Sequence, residues 1–189
     1  MALLKKNLDL WLLRHAKSSW SDPALPDIDR PLNNRGRNAA VTVSKFLNQL
    51  EFKADLALCS PSNRTQTTLN ILNCNLVTPV PKKICTAIYD ASVEGLIKIL
   101  SNVPQSNESV LLVGHNPSLQ NLALYLCRYA DENSKENVKK IYKSFPTCGL
   151  VNIALPAGEW CDIRAVWGQL RLVKFPKEIT RDGLSLIHI

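Results

Sequence analysis

The sequence predicts an α/β fold of three layers, in which a mostly parallel sheet carries helices on both faces. Short apolar runs of strand length alternate with longer segments of helical periodicity along most of the chain. Several of these runs end in residues that cap helices. The chain has 189 residues, of which 46% are hydrophobic, and we expect one domain over residues 1–189 with no large cap insertion.

The first part of the chain supplies two strands and two helices in alternation. Leu8–Leu13 is an apolar run that predicts a buried strand. Arg35–Leu50 repeats its apolar residues at helical spacing, and Asp55–Cys59 is a second short strand. Ser60 and Pro61 then predict an N-cap and the first residue of a helix, because proline needs no N–H partner at that position.

The middle of the chain repeats this alternation. Lys83–Ile88 is a candidate strand, and Ser92 is placed to cap the helix that follows it. Ser109–Val113 is the clearest buried strand in the sequence. It leads into a helix for which Asn116 is the expected N-cap and Pro117 the first helical residue.

The last third departs from simple alternation. Residues 131–143 are polar and lysine-rich, which predicts an exposed loop or a short helix. Cys148–Leu155 and Asp162–Val166 predict a hairpin with its turn at residues 156–158, and Leu170–Val173 is a final short strand. The hairpin is expected to add antiparallel strands at one edge of the sheet.

The net charge and the cysteine content indicate which binding partners and which cellular compartment to expect for this protein. The formal net charge of +7 favours anionic partners without choosing among small phosphorylated molecules, phosphoproteins and nucleic acid. A basic stripe with interleaved aromatics is not evident, so we expect no nucleic-acid partner. The six cysteines form no C-x-x-C pair and indicate free thiols in a reducing compartment. We expect a cytoplasmic monomer without membrane association, since no segment has the roughly 18 apolar residues of a span.

Arginine and histidine side chains follow three of the predicted strands where those strands end. Arg14 and His15 follow the first strand, Arg64 lies in the first turn after the second, and His115 follows the strand at 109–113. Because the carboxyl ends of parallel strands meet at one edge of a sheet, we expect these side chains to converge there with helix N-termini. Taken singly, each residue also fits an ordinary structural role.

Two arginines, two histidines and helix N-termini suit a phosphoryl group. Arginine presents forked donors to paired phosphate oxygens. A neutral imidazole can attack phosphorus in line and form a covalent phosphohistidine, while a second, protonated imidazole binds the transferring oxygens. These arguments do not decide whether His15 or His115 is the nucleophile.

Other catalytic classes find less support in the sequence. The three histidines show no H-x-x-x-H or H-x-H spacing, so neither a dedicated metal site nor any other cofactor is expected. A Walker loop is absent, and so is the G-x-S-x-G motif of many serine hydrolases.

Four motifs occur in order along the chain, at Leu12–Ser18, Asp29–Gly36, Ser60–Thr67 and Val113–Pro117. Together they resemble the histidine phosphatase superfamily, also called phosphoglycerate-mutase-like, and in particular its SixA-type phosphohistidine phosphatases. The resemblance extends from about Leu8 to Val173. Ala16 stands where the wider superfamily usually has glycine and the SixA-type branch alanine. Ser21 stands where mutase-like members tend to carry asparagine, which weakens a mutase interpretation.

The resemblance implies roles for the residues at the strand ends. His15 would be the nucleophile that becomes phosphorylated, and Arg14, Arg64 and His115 would form the phosphate pocket. Arg30 is a further candidate for substrate binding, although an exposed loop arginine explains it equally well.

The general acid is a separate question. By the same resemblance Asp90 is the nearest candidate, and Glu94 is second because a structural role in the first turn of a helix suffices for it. A phosphohistidine leaving group that is protonated on its own ring needs no enzyme acid, whereas an alkyl phosphate does.

The sequence therefore predicts a metal-independent phosphatase that acts through a covalent phosphohistidine, with phosphohistidine in a protein as its substrate. The lack of a large inserted lid favours a protein substrate. The alternatives are a phosphomonoesterase for a small phosphorylated metabolite and a module that binds phosphorylated ligands without turnover.

Overall fold

The computed structural model describes residues 7–129, 132–156 and 158–185. Within these ranges the chain forms six strands and six helices. The strands are β1 (Leu8–Arg14), β2 (Leu56–Cys59), β3 (Lys82–Ile84), β4 (Ser109–Gly114), β5 (Leu150–Leu155) and β6 (Gln169–Lys174). The helices are α1 (Asn34–Gln49), α2 (Asn63–Asn75), α3 (Val93–Ser101), α4 (Ser118–Leu126), α5 (Glu132–Lys143) and α6 (Pro176–Ser185).

The strands form one mixed sheet with the order β3-β2-β4-β1-β5-β6. β1, β2, β3 and β4 pair in parallel, and β5 runs antiparallel to both of its neighbours. The predicted mostly parallel sheet with antiparallel pairing at one edge is thus confirmed. Arg14 pairs with Gly114, and Cys59 with Val113, so the carboxyl ends of β1, β2 and β4 lie side by side.

Helices cover both faces of the sheet and complete the three layers. α1, α2 and α6 contribute to the core on one face, and α3, α4 and α5 to the core on the other. β1 supplies both cores: Leu10 and Leu12 point toward α3 and α4, whereas Trp11 and Leu13 point toward α1 and α2. This division follows from the alternation of side chains along a strand.

Two of the predicted strands are wrong in extent or in place. The strand predicted over Lys83–Ile88 ends at Ile84, because β3 is an edge strand and its partner β2 ends opposite that residue. Asp162–Val166 forms no strand, since the chain enters a 3-10 turn at Trp160–Asp162. The fully buried Trp160 anchors this turn by donating from Nε1 to a backbone carbonyl at 2.6 Å. β5 pairs with β6 instead.

Two helices begin later than the sequence predicts. α2 is capped by Ser62, whose hydroxyl accepts from a backbone N–H in the first turn, and not by Ser60. α4 follows a cis peptide bond at Pro117, and the side chain of Asn116 does not cap it. Asn116 instead donates from Nδ2 to the Phe145 carbonyl at 3.0 Å. Of the two alternatives for residues 131–143, the helix is correct from Glu132 onward, and Asp131 lies outside the described residues.

Candidate active site

The ends of three strands bring together the four site residues that were predicted to lie there. Arg14 is the last residue of β1, His15 follows it, and His115 follows β4. Arg64 lies in the first turn of α2, just after the chain leaves β2. The ring centroids of His15 and His115 are 5.1 Å apart, and Arg64 Nη2 lies 3.5 Å from His115 Nδ1.

A cavity of about 240 Å³ opens at this edge of the sheet, and we refer to it as the strand-end pocket. Its lining residues come from the end of β1, the loop after β1, the start of α2 and the loop before β5: Arg14, His15, Lys17, Ser18, Trp20, Asp27, Arg30, Arg64 and Thr147. Cations dominate this lining, so the pocket suits a small anionic group.

Hydrogen bonding fixes the tautomer of His15. Its Nδ1 lies 2.8 Å from the Ala16 carbonyl oxygen, which can only accept, so Nδ1 carries the proton and Nε2 keeps a lone pair. Burial, together with the positive charges of Arg64 and Arg14, lowers the pKa of His15 to about 4, although the bond to Ala16 opposes the shift. His15 is therefore neutral at pH 7, with one basic ring nitrogen available.

His115 is also neutral at pH 7. Its Nε2 lies 2.8 Å from Ser60 Oγ, and the contact of Nδ1 with a guanidinium leaves Nδ1 as the acceptor. Burial first, then the charges of His15 and Arg64, lower the pKa of His115 to about 3. Ser60, which the sequence analysis assigned to a helix cap, thus orients this ring.

Arg14 combines one fixed bond with one free donor. Its Nη1 donates to the Phe145 carbonyl at 2.7 Å, while its buried Nε has no partner among the described residues. Burial lowers the pKa of Arg14, which nevertheless remains charged at neutral pH. A buried N–H without a partner is costly.

Asp27 is a pocket residue that the sequence analysis missed. Its carboxylate lies 2.8 Å from Arg64 Nη2 and 3.1 Å from Arg30 Nη1, and it accepts from the Tyr89 hydroxyl at 2.6 Å. The Tyr89 hydrogen bond, followed by Arg64 and Arg30, lowers the pKa of Asp27 to about 2. Asp27 is therefore ionised at neutral pH. No periodic pattern in the sequence marks Asp27, because it reaches Arg64 across 37 residues.

Arg30 lines the pocket, but most of its donors hold the loop after β1. Its guanidinium donates to the Ser19 carbonyl, to Ser18 Oγ and to Asp27, at 3.0–3.1 Å. It also lies 3.1 Å from the ring centroid of Trp20, a cation–π contact. Arg30 therefore organises this loop above the strand ends.

The structure does not bring the two acid candidates into the pocket. Asp90 is exposed and makes no hydrogen bond or ion pair with a described residue. Its neighbour Tyr89 does reach the site, with its ring edge-on to His115 at 5.4 Å between centroids. Glu94 is paired with Arg164 through both carboxylate oxygens, and this partner lowers the pKa of Glu94.

The described residues offer neither a metal-ligand cluster nor a membrane-spanning helix. Within residues 7–129, 132–156 and 158–185, no group of three or more His, Cys, Asp or Glu side chains is placed to hold a metal ion. In the same ranges, no helix is both long and apolar enough to span a bilayer.

Comparison with known proteins agrees with this geometry. A sequence profile of the histidine phosphatase superfamily (branch 1) matches residues 10–84, which contain Arg14, His15 and Arg64. The uncharacterized protein Rv1276c of Mycobacterium tuberculosis is 29% identical over 151 residues, covering 80% of this chain and 91% of the relative.

Solved structures extend the likeness to nearly the whole fold. A protein assigned as the phosphohistidine phosphatase SixA of Agrobacterium tumefaciens is 25% identical with a TM-score of 0.69, covering 78% of this chain and 91% of its own. A protein given the same assignment in Nakamurella multipartitia is 24% identical with a TM-score of 0.78, covering 90% and 97%.

The profile match over the motif-bearing residues and the shared fold support the histidine phosphatase superfamily as the class of this protein. The chain is a phosphatase similar to those of the SixA type, as the resemblance of its motifs predicts.

Proposed function

We propose that this phosphatase hydrolyses phosphohistidine in another protein, and that His15 carries the phosphoryl group between two half-reactions. The observation that carries the proposal is the state of His15. The Ala16 carbonyl accepts the Nδ1 proton of His15, and the ring is neutral at pH 7. Nε2 therefore keeps a lone pair, and the ring lies beside Arg14, Arg64 and His115.

In the first half-reaction, His15 Nε2 attacks phosphorus and the bond from phosphorus to the substrate's imidazole nitrogen breaks. The substrate ring leaves as a neutral imidazole because it carries a proton on its other nitrogen. The Arg14 and Arg64 guanidinium groups, which line the pocket, stabilise the charge on the equatorial oxygens. In the second half-reaction, water attacks phosphorus and the bond from phosphorus to His15 Nε2 breaks. Both protons of the water leave with the inorganic phosphate, which regenerates neutral His15.

The ionisable groups of the pocket favour a phosphoramidate substrate over an alkyl phosphate ester. Asp27, the carboxylate that lines the pocket, is ionised and bonded to two arginines, so it has no proton to give. Asp90 is exposed and lies outside the lining. An alkoxide leaving group needs a proton that this pocket does not supply, whereas a protonated phosphohistidine brings its own.

A substrate panel tests the proposal. Purified protein in EDTA is given a chemically phosphorylated histidine peptide, an aryl phosphate and an alkyl phosphate, and kcat/KM is compared. We expect activity on the first two, with the alkyl ester about 10²-fold or more slower because it lacks an acid. His15→Ala is expected to lose activity on all three, whereas Asp90→Asn leaves the peptide rate within about twofold.

Four outcomes would contradict the proposal. Loss of activity in EDTA would indicate a metal. Retained activity in His15→Ala would remove the nucleophile. A preference for alkyl phosphates that Asp90→Asn abolishes would instead favour the phosphomonoesterase with Asp90 as its acid. Tight phosphate binding without turnover would favour a module that only binds phosphorylated ligands.

A further inference from the structure

A second, larger groove opens directly beside the strand-end pocket. It has a volume of about 730 Å³, about three times the 240 Å³ of the pocket. It lies between the N-terminal parts of α1 and α6 and the loop that joins α5 to β5. Lys17 and Thr147 line both spaces, so the groove continues the pocket without a break in the lining. We refer to it as the basic groove.

Three cations give the basic groove its charge. Lys17, Arg35 and Lys177 line it, all three are exposed, and none of their side chains has an ion-pair or hydrogen-bond partner among the described residues. The groove also contains one carboxylate, Glu178. That carboxylate is already engaged by Lys140 at 2.7 Å and by a backbone N–H at 2.9 Å. The charge left to attract a ligand is therefore positive.

We propose that the basic groove binds an acidic segment of the phosphorylated partner protein, next to its phosphohistidine. This inference rests on the proposed function, because it assumes that the phosphoryl group occupies the strand-end pocket. A small phosphate ester fits within the pocket alone. A polypeptide that continues past Lys17 enters the groove, where carboxylates meet Arg35 and Lys177.

The lining favours a peptide over a nucleic acid. Grooves that bind single-stranded nucleic acid combine cations with aromatic rings on which bases stack. Phe175 is the aromatic residue in this lining, and its ring already packs against Lys140 Nζ at 4.6 Å and faces Phe145 at 6.4 Å. Carboxylate side chains need only the cations.

The test compares two phosphohistidine peptides, one flanked by Asp and Glu and the other by Ser and Gln, with an aryl phosphate too short to leave the pocket. The native protein is expected to prefer the acidic peptide about tenfold in kcat/KM, since each exposed ion pair contributes up to about fivefold. The preference should shrink as salt rises, because salt screens exposed charges.

The variant is Arg35→Glu combined with Lys177→Glu, and the matched control is Arg37→Glu. Arg37 is an exposed arginine in the same first turn of α1 but lies outside the groove lining. The double variant is expected to lose the preference, so that the acidic peptide slows about tenfold more than the aryl phosphate does. Arg37→Glu should leave the ratio unchanged.

Binding of the same acidic peptide without its phosphoryl group, followed by fluorescence anisotropy, separates this inference from the proposed function. Binding that the double variant weakens supports the groove even if no peptide is hydrolysed, an outcome that would overturn the proposed function alone. Equal kcat/KM values for the two peptides would overturn the proposal that the basic groove binds an acidic segment. Binding of a random oligonucleotide that is tighter than the acidic peptide and lost in the double variant would also overturn it.

Discussion

Each histidine of the strand-end pocket is oriented by a neighbour that fixes one ring nitrogen. The Ala16 carbonyl holds Nδ1 of His15, and the Ser60 hydroxyl holds Nε2 of His115. Both rings are buried beside Arg64, so the charged form of each is disfavoured. The strand-end pocket therefore presents a neutral nucleophile.

This arrangement predicts an unusual titration. Since burial lowers both pKa values, protonation begins only as the pH falls toward about 4 for His15 and about 3 for His115. We expect their imidazole NMR signals to show no midpoint between about pH 5 and 8. His15→Gln and His115→Gln assign the signals. A midpoint near the ordinary value of 6.5 for His15 would contradict the account.

The residues of the site divide according to the kind of signal that they leave in a sequence. Arg14, His15, Arg64 and His115 could be placed together because each follows a strand whose apolar run is evident. Asp27 could not be placed with them from the sequence, because it lies in a loop without periodicity and contacts Arg64, which is 37 residues away in the chain.

At the scale of elements, the first turn of α1 supports the loop that follows His15. Asn33 caps α1 by accepting from Gly36 N at 2.8 Å, and its Nδ2 donates to the Ser18 carbonyl at 3.2 Å. A side chain at Gly36 would place its Cβ 2.8 Å from Lys17 N, and closer still to the Lys17 carbonyl oxygen. Gly36 is thus required by close approach of two backbones.

Gly36→Ala is expected to displace this loop. We predict a loss of about 1–3 kcal/mol in the free energy of unfolding, together with reduced kcat/KM. The control is Gly95→Ala in α3, where the new Cβ would lie 3.6 Å or more from its neighbours. That change should stabilise the protein by about 0.5–1 kcal/mol without affecting activity. Urea unfolding measures both, and equal effects from the two substitutions would contradict the packing argument.

The elements that the sequence misplaced share a physical cause. Lys83–Ile88 contains residues suited to a strand, but an edge strand can extend only as far as its partner. Asp162–Val166 lost its strand to the burial of Trp160, a tertiary contact that local patterns do not report. Ser60 and Asn116 are residue types that often cap helices. Here the Ser60 side chain hydrogen-bonds to His115, and the Asn116 side chain to the Phe145 carbonyl.

At the scale of the whole molecule, the antiparallel strand β5 brings the loop before it to the site at the carboxyl ends of the parallel strands. β5 starts at the edge where β1 ends, so the loop before β5 reaches the site. The Cys148 N–H donates to the carbonyls of Arg14 and His15, each at 3.0 Å, and the Phe145 carbonyl accepts from Arg14. The same loop borders the basic groove through Thr147. One loop thus supports the nucleophile and the proposed docking surface.

The most direct test of the account is to trap the phosphoryl group on the protein. A phosphohistidine peptide with a radiolabelled phosphoryl group is mixed with the native protein, quenched during turnover and mapped by peptide analysis. We predict label on His15, labile in acid and stable in alkali, and none in His15→Ala. Label on His115, or continued turnover with no label on His15, would contradict the central claim.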